Sequence, residues 1–128
     1  MSVWLVLVIL VGVLIAWVGF NIWRVRRAAT SISQERFAKM AHKSQVIDVR
    51  DADSFRRKHI LGARNMPYEQ LKMTPSAIRS DQPVLLYDAD GSSKSGAAAI
   101  ALKKAGYKDL YILEGGLNGW KGKVKGRA

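Results

Sequence analysis

An apolar run, Val84-Leu85-Leu86-Tyr87, gives way at once to Asp88-Ala89-Asp90-Gly91-Ser92-Ser93-Lys94-Ser95, and then to an alanine-rich stretch from Gly96 to Ala105. A strand, a glycine-bearing loop and a helix in that order gather backbone N–H groups around one point, where the positive end of the helix dipole adds to them. Such a nest favours an anion. Two carboxylates and Lys94 stand beside it, so anion-handling and metal-assisted chemistry both have to be weighed. Thiol chemistry does not, because the chain contains no cysteine and sulfur transfer needs a thiolate.

The elements around this loop read as an alternation of strands and helices. Ser33 or Ser31 can cap a helix from about Gln34 to Ala41, Val46 to Val49 reads as a buried strand, and Ala52 to Lys58 suits a helix. Gly62 and Pro67 mark a loop, followed by a short helix over Tyr68 to Lys72. Pro83 opens the strand Val84 to Tyr87, Gly106 stops the alanine-rich helix, Leu110 to Leu113 is a further strand, and Gly115-Gly116 leads into a last turn ending near Trp120. This order predicts a parallel sheet covered on both faces, with the Asp88 loop at the carboxyl ends of the strands, where ligands collect in such sheets.

The chain is 128 residues long, enough for one small domain beside a membrane segment. Residues Val3 to Phe20 carry no charge, and Asn21-Ile22-Trp23 extends the stretch to Arg24. At about 1.5 Å per residue this crosses a hydrocarbon core of about 30 Å and sets Trp4 and Trp23 about 28 Å apart, one near each interface. A signal peptide would carry its positive charge before the run and a small-residue cleavage site after it. Here Arg24, Arg26 and Arg27 follow the run. The expectation is an uncleaved, single-pass anchor in the cell membrane, with the N-terminus outside and the domain cytoplasmic. The organisation expected is therefore anchor and basic stop over 1–27, linker over 28–33, domain over 34–121 and a disordered basic tail over 122–128.

Net charge is +11, and +8 remains without the three arginines of the stop. The cations are scattered over Arg56-Arg57-Lys58, Lys103-Lys104 and the tail, with no aromatic platform between them, so no nucleic-acid partner is expected. Membrane lipid along residues 3–23 is the expected partner, with anionic headgroups as candidates for the basic surface. A solvated basic face explains the same charge.

Four elements in order carry a resemblance to the rhodanese-like family. Asp48 and Arg50 form a D-x-R element after a strand; His59-Ile60-Leu61-Gly62-Ala63-Arg64-Asn65-Met66-Pro67 matches H-I-x-G-A-x-N-x-P; the loop from Asp88 follows the central strand; and Gly115-Gly116 precedes Trp120 as G-G-x-x-x-W. The resemblance spans about residues 31 to 121. It implies an α/β, rhodanese-like three-layer fold with a central parallel sheet, preceded here by one transmembrane helix. In that family the loop begins with a cysteine that carries sulfur as a persulfide, and the resemblance puts Asp88 at that position. No catalytic residue follows from it. Five residues separate Asp88 from Lys94, so the loop resembles the longer one of the family's dual-specificity phosphatase branch, yet it lacks that branch's cysteine and arginine. The reading is a binding or regulatory module whose loop, Asp88 to Ser95, is filled by Asp88's own carboxylate. Asp48, Arg50, His59, Gly62, Ala63, Asn65, Pro67, Gly115, Gly116 and Trp120 are expected to be structural, His59 by hydrogen bonding backbone.

The same loop is similar to the first motif of haloacid dehalogenase-like phosphatases, in which the first aspartate attacks phosphorus and both hold Mg²⁺. This is the alternative: an atypical phosphate- or anion-handling hydrolase using Asp88, with Ser92, Ser93, Lys94 and the loop amides on the ligand. Only Asp109 and Glu114 follow Asp90 as further carboxylates. Neither is placed by the sequence to complete a metal site, and no histidine and carboxylate spacing fits one, so neither a metal nor another cofactor is expected. The identity of a protein partner is not written in the residues.

Overall fold

The computed structural model of the chain describes residues 2–91 and 93–126. Val3–Ala28 forms α1, a 26-residue helix long and apolar enough to cross a membrane, its apolar stretch exposed along its length. The Ser2 hydroxyl caps it by accepting from the Trp4 N–H at 3.2 Å. Only the far end of α1 meets the rest of the chain. There Val25 lies against Gly96, where a Cβ would stand 3.1 Å from a Val25 methyl, and Ala28 and Ala29 enter the core.

The segment 28–33, read above as a linker, holds a strand instead: β1 (Thr30–Ile32) follows α1 directly and pairs with Tyr111 to Leu113. Three residues are too few to show an alternating pattern, and small alanines resemble a linker although here they fit a tight helix-to-sheet junction.

The sheet has the order β1-β6-β5-β2-β4 with every pairing parallel, where β2 is Gln45–Asp48, β4 Arg64–Asn65, β5 Val84–Tyr87 and β6 Leu110–Leu113. Every residue of β5 is buried, because a central parallel strand is covered on both faces. Val46, Leu85, Tyr87 and Leu113 pack with Phe37 of α2 (Gln34–Met40) and with Leu117 and Trp120. Ile47, Val84, Leu86 and Ile112 pack on the other side with Leu71 of α4 (Tyr68–Met73) and with Ala98, Ala99 and Leu102 of α5 (Ser93–Lys104). Two cores and three layers result. Ser33 caps α2 and Asp51 caps α3 (Ala52–Arg57) by accepting backbone N–H groups of Arg36 and Ser54. The hydroxyl and amide of Ser54 hold the Asp51 carboxyl below its ordinary pKa.

The tail read as disordered from 122 contributes β7 (Val124–Lys125), antiparallel to β3 (His59–Ile60). Backbone pairing holds it, including Leu61 N–H to Lys123 O at 3.0 Å, and composition carries no trace of a partner some sixty residues away. Arg127 and Ala128 lie outside the described residues.

A buried carboxylate braces the strands at their carboxyl ends. Asp48, closing β2, is inaccessible to solvent. It accepts from the Arg50 backbone N–H at 2.8 Å and from the guanidinium at 2.8 to 3.1 Å, while Arg50 also donates to the Lys58 carbonyl. The Tyr87 hydroxyl accepts the Ile60 N–H at 3.1 Å and feels the charge of Asp48 beside it. Asn65 donates to the carbonyls of Asp48 and Arg50. His59 holds the Phe55 carbonyl through Nδ1 at 2.7 Å and stacks on the Phe55 ring, its centroid 3.8 Å away. Although burial opposes the charged form, the hydrogen bond and charge of Asp48 hold Arg50 above its ordinary pKa. Burial, with Asp48 behind it, raises the Tyr87 phenol far above its own.

Truncating one member of a buried pair strands the other's charge. Asp48→Ala should lower unfolding free energy by about 3–5 kcal/mol in urea titrations, whereas Tyr87→Phe should cost about 1–3 kcal/mol. Because the folded state raises the Tyr87 pKa, its contribution is complete below the unfolded phenol's value of about 10 and is lost as pH climbs beyond it. Alkaline unfolding of Tyr87→Phe should accordingly depend less on pH than that of the natural chain; equal slopes would remove Tyr87 from the brace.

Candidate functional site

β5 delivers Asp88 to the carboxyl edge of the sheet, 3% exposed. One carboxylate oxygen accepts the Gly91 N–H at 2.5 Å and the other the Ser95 N–H at 3.1 Å. Ser95 sits in the first turn of α5, whose amides have no partner inside the helix. Asp88 thus caps α5 from seven residues upstream, and its negative charge meets the positive end of the helix dipole. The Ser95 hydroxyl is buried with no hydrogen-bond partner among the described residues. Ser92 and the side chain of Ser93, which the sequence reading included in the site, lie outside the described residues.

Two glycines give the loop its shape. Gly91 has φ +79°, and a Cβ there would fall 2.8 Å from the Gly115 nitrogen and 2.9 Å from the Leu113 carbonyl oxygen. Gly116 has φ +56°, and a Cβ would come 2.6 Å from the Asp88 carbonyl oxygen. No other residue type fits such positions without moving backbone. With the two chains this close, Leu117 N–H donates to Asp88 O and Asn118 N–H to Ala89 O, each at 2.9 Å. Gly115 and Gly116 therefore clamp the outer side of the Asp88 loop. Trp120 stands edge-on to Phe37, centroids 5.6 Å apart, and Gln34 bonds the Gly119 carbonyl and the Lys121 N–H.

The remaining motif residues lie in the brace and not in the loop. Asp48, Arg50, His59 and Asn65 hold one another or backbone, as given above. Gly62, with φ +87°, turns the chain between β3 and β4, Ala63 N–H closes that turn on Ile60 O at 3.0 Å, and Pro67 caps the start of α4. Tyr87 is the member that sequence reading missed. A tyrosine ending an apolar strand reads as core, and nothing local reveals that its hydroxyl reaches another strand.

Both Asp88 oxygens face amide donors, an arrangement that stabilises a resident carboxylate more than it activates a nucleophile. Asp90 and Lys94 are exposed on the same loop, Lys94 close enough to Asp51 to favour its charged form. The further carboxylates that a haloacid dehalogenase-like phosphatase would require are not gathered with Asp88 among the described residues. Asp109 precedes β6, its carbonyl accepting the Val84 N–H at 2.8 Å at the opposite edge of the sheet, and Glu114 is exposed beyond β6, its N–H on Ile32 O. Among the described residues no three histidine, cysteine, aspartate or glutamate side chains stand together as metal ligands.

Comparison with known proteins agrees with this architecture. The chain is 39% identical to the uncharacterized protein YqhL of Bacillus subtilis over 99% of both. It is also 35% identical to the thiosulfate sulfurtransferase GlpE of Shewanella oneidensis over 62% of this chain and 78% of that one. Among solved structures, the rhodanese-like domain of the Alr3790 protein of Anabaena sp. superposes with a TM-score of 0.68 at 26% identity, covering 76% of this chain and 79% of that one. A Lactobacillus plantarum protein does so with 0.64 at 29%, covering 74% and 87%. The model of the rhodanese-like domain matches residues 33–123, the interval that holds both the Asp48 brace and the Asp88 loop, and the chain belongs to that family.

Proposed function

We propose that this chain is a membrane-tethered rhodanese-like module without sulfurtransferase chemistry, which binds or regulates a protein partner. In this reading Asp88 takes the place of the family's cysteine, and its carboxylate fills the anion site that the loop would otherwise offer. The observation that carries it is the pair of bonds from Gly91 and Ser95 to the two Asp88 oxygens. A carboxylate cannot hold sulfane sulfur, and the chain has no thiol to replace it. GlpE, whose name records thiosulfate sulfurtransfer, matches 62% of this chain; YqhL matches 99% of it, a span that takes in α1. The tether is α1, oriented by Arg24, Arg26 and Arg27 with the domain in the cytoplasm. The surface offered to a partner is the exposed part of the Asp88 loop, with Ala89, Asp90 and Lys94.

Amide NMR of the full chain in micelles, titrated with phosphate, sulfate, thiosulfate and Mg²⁺, tests the filled site. The natural chain should show no saturable shift from Gly91 to Ser95, and Asp88→Ala should gain one for the anions, with the freed amides and the Ser95 hydroxyl as donors. Saturable shifts in the natural chain that disappear in Asp88→Ala would reverse the reading and make Asp88 a working group of an anion-handling site.

Asp88→Cys tests the assigned position chemically. With thiosulfate the natural chain should form no persulfide, while the cysteine variant should gain the mass of one sulfur atom; a variant that remains unmodified would mean that this loop does not present residue 88 as the family presents its cysteine. Orientation is read separately, by reporters fused to each end. The C-terminal fusion should be active only as a cytoplasmic enzyme.

A further inference from the structure

The junction between α1 and the domain carries chemistry that the Asp88 loop does not use. A cleft of about 930 Å³ opens there, lined on one side by Ile22, Arg24 and Arg26 of α1 and on the other by Tyr68, Lys72 and Lys104. A second cleft, of about 410 Å³, lies on the neighbouring side of the same helix end and adds Trp23, Arg27 and Lys103. Six cations converge on one helix end, and among the described residues neither lining contains an aspartate or glutamate. Three of them come from the stop sequence. The other three, Lys72, Lys103 and Lys104, are brought from α4 and α5 by the fold.

The walls between the cations are apolar: Ile22, Val25, Ala97, Ile100 and Ala101 line the larger cleft. Val25 meets Gly96 near the start of α5, and Trp23, Arg24, Arg27 and Ala28 share a cleft with Lys103 and Lys104 at its end. The cationic end of α5 therefore lies against the last turns of α1, next to its apolar part. Beyond Trp23 the exposed surface is the apolar flank of α1 itself. A cationic cup that opens onto an apolar helix fits a ligand with an anionic head and a hydrocarbon tail.

We propose that this junction is a binding site for an anionic phospholipid of the membrane that α1 enters. The phosphate sits among Arg24, Arg26, Lys72 and Lys104, and the acyl chains follow the exposed face of α1. The proposal rests on the tether reading above, and goes beyond it by assigning a defined lipid site to cations of the folded domain. Lys72 and Lys104 distinguish this from a general positive-inside bias, because they lie outside the span's flank and reach its surface only when the domain is folded.

The test uses the full chain in a neutral detergent, with thermal unfolding followed as dioctanoyl phosphatidylglycerol, dioctanoyl phosphatidylcholine or inorganic phosphate is added. Saturable stabilisation by phosphatidylglycerol is expected, with little from phosphatidylcholine and none from phosphate at equal concentration. Replacing both lysines, Lys72→Gln with Lys104→Gln, should raise the phosphatidylglycerol concentration needed for half-maximal stabilisation about five-fold per lysine removed. Replacing Lys39 and Lys125, which line neither cleft, with glutamine should leave it unchanged. Equal responses to the two lipids, or a Lys72/Lys104 variant that responds like the natural chain, would overturn the lipid site. Stabilisation by inorganic phosphate alone would make it a soluble-anion site. Failure of the tether itself reads out differently, as natural chain that leaves the membrane fraction in salt or carbonate washes without detergent.

Discussion

Backbone donors at the carboxyl edge of this parallel sheet require an acceptor, and that requirement shapes the site. Where β5 ends and α5 begins, the loop turns its N–H groups inward with no strand to pair with them and no preceding helical turn to receive them. Leaving one such donor buried and unpaired costs about 1–3 kcal/mol. Asp88 answers with both carboxylate oxygens. The glycines follow from the same demand: the loop closes tightly enough to aim its amides only if Gly91 and Gly116 have no side chains, and then the Leu117 and Asn118 amides reach the loop's own carbonyls. Donors are satisfied on the inside and acceptors on the outside.

A second carboxylate ends a neighbouring strand, and the contrast between the two separates brace from site. Asp48 is neutralised by the Arg50 guanidinium in a fixed fork, beside a Tyr87 phenol that is itself tied to Ile60, so the brace depends on β2, β3 and β5 at once. No small ion could take its place without abandoning Arg50. Asp88 is held by amides and a helix dipole, which discriminate by charge and size and not by identity. The brace thus depends on one charged partner, while the loop holds its carboxylate through backbone alone.

Much of this was legible in the residues. β5 and β6 fall on the expected boundaries because runs of apolar residues ended by turn formers leave little freedom, and the D-x-R, H-I-x-G-A and G-G-x-x-x-W elements located both the brace and the clamp. What escaped was pairing at a distance. β1 and β7 are two or three residues long and exist through backbone bonds to partners far along the chain, so Thr30 and Val124 carry no local pattern that would mark them. The hydroxyl of Tyr87 escaped for a related reason, since its partner Ile60 lies 27 residues away in another strand. The Asp88 carboxylate was the reverse case: strand, glycine and helix in sequence are enough to place a nest, and an aspartate at its first position has few other places to put its charge.

The junction of α1 with the sheet adds a consequence for how the domain would sit on a bilayer. A flexible linker would let the domain tumble, but Ala28 and Ala29 are buried, β1 follows at once, and Val25 is seated on Gly96. With α1 in a membrane, as proposed, the cations that α4 and α5 bring to the junction, Lys72, Lys103 and Lys104, are held beside the same helix end as the basic stop. A basic surface held against headgroups would be unavailable to a soluble partner, which would have to approach a face of the domain away from this junction.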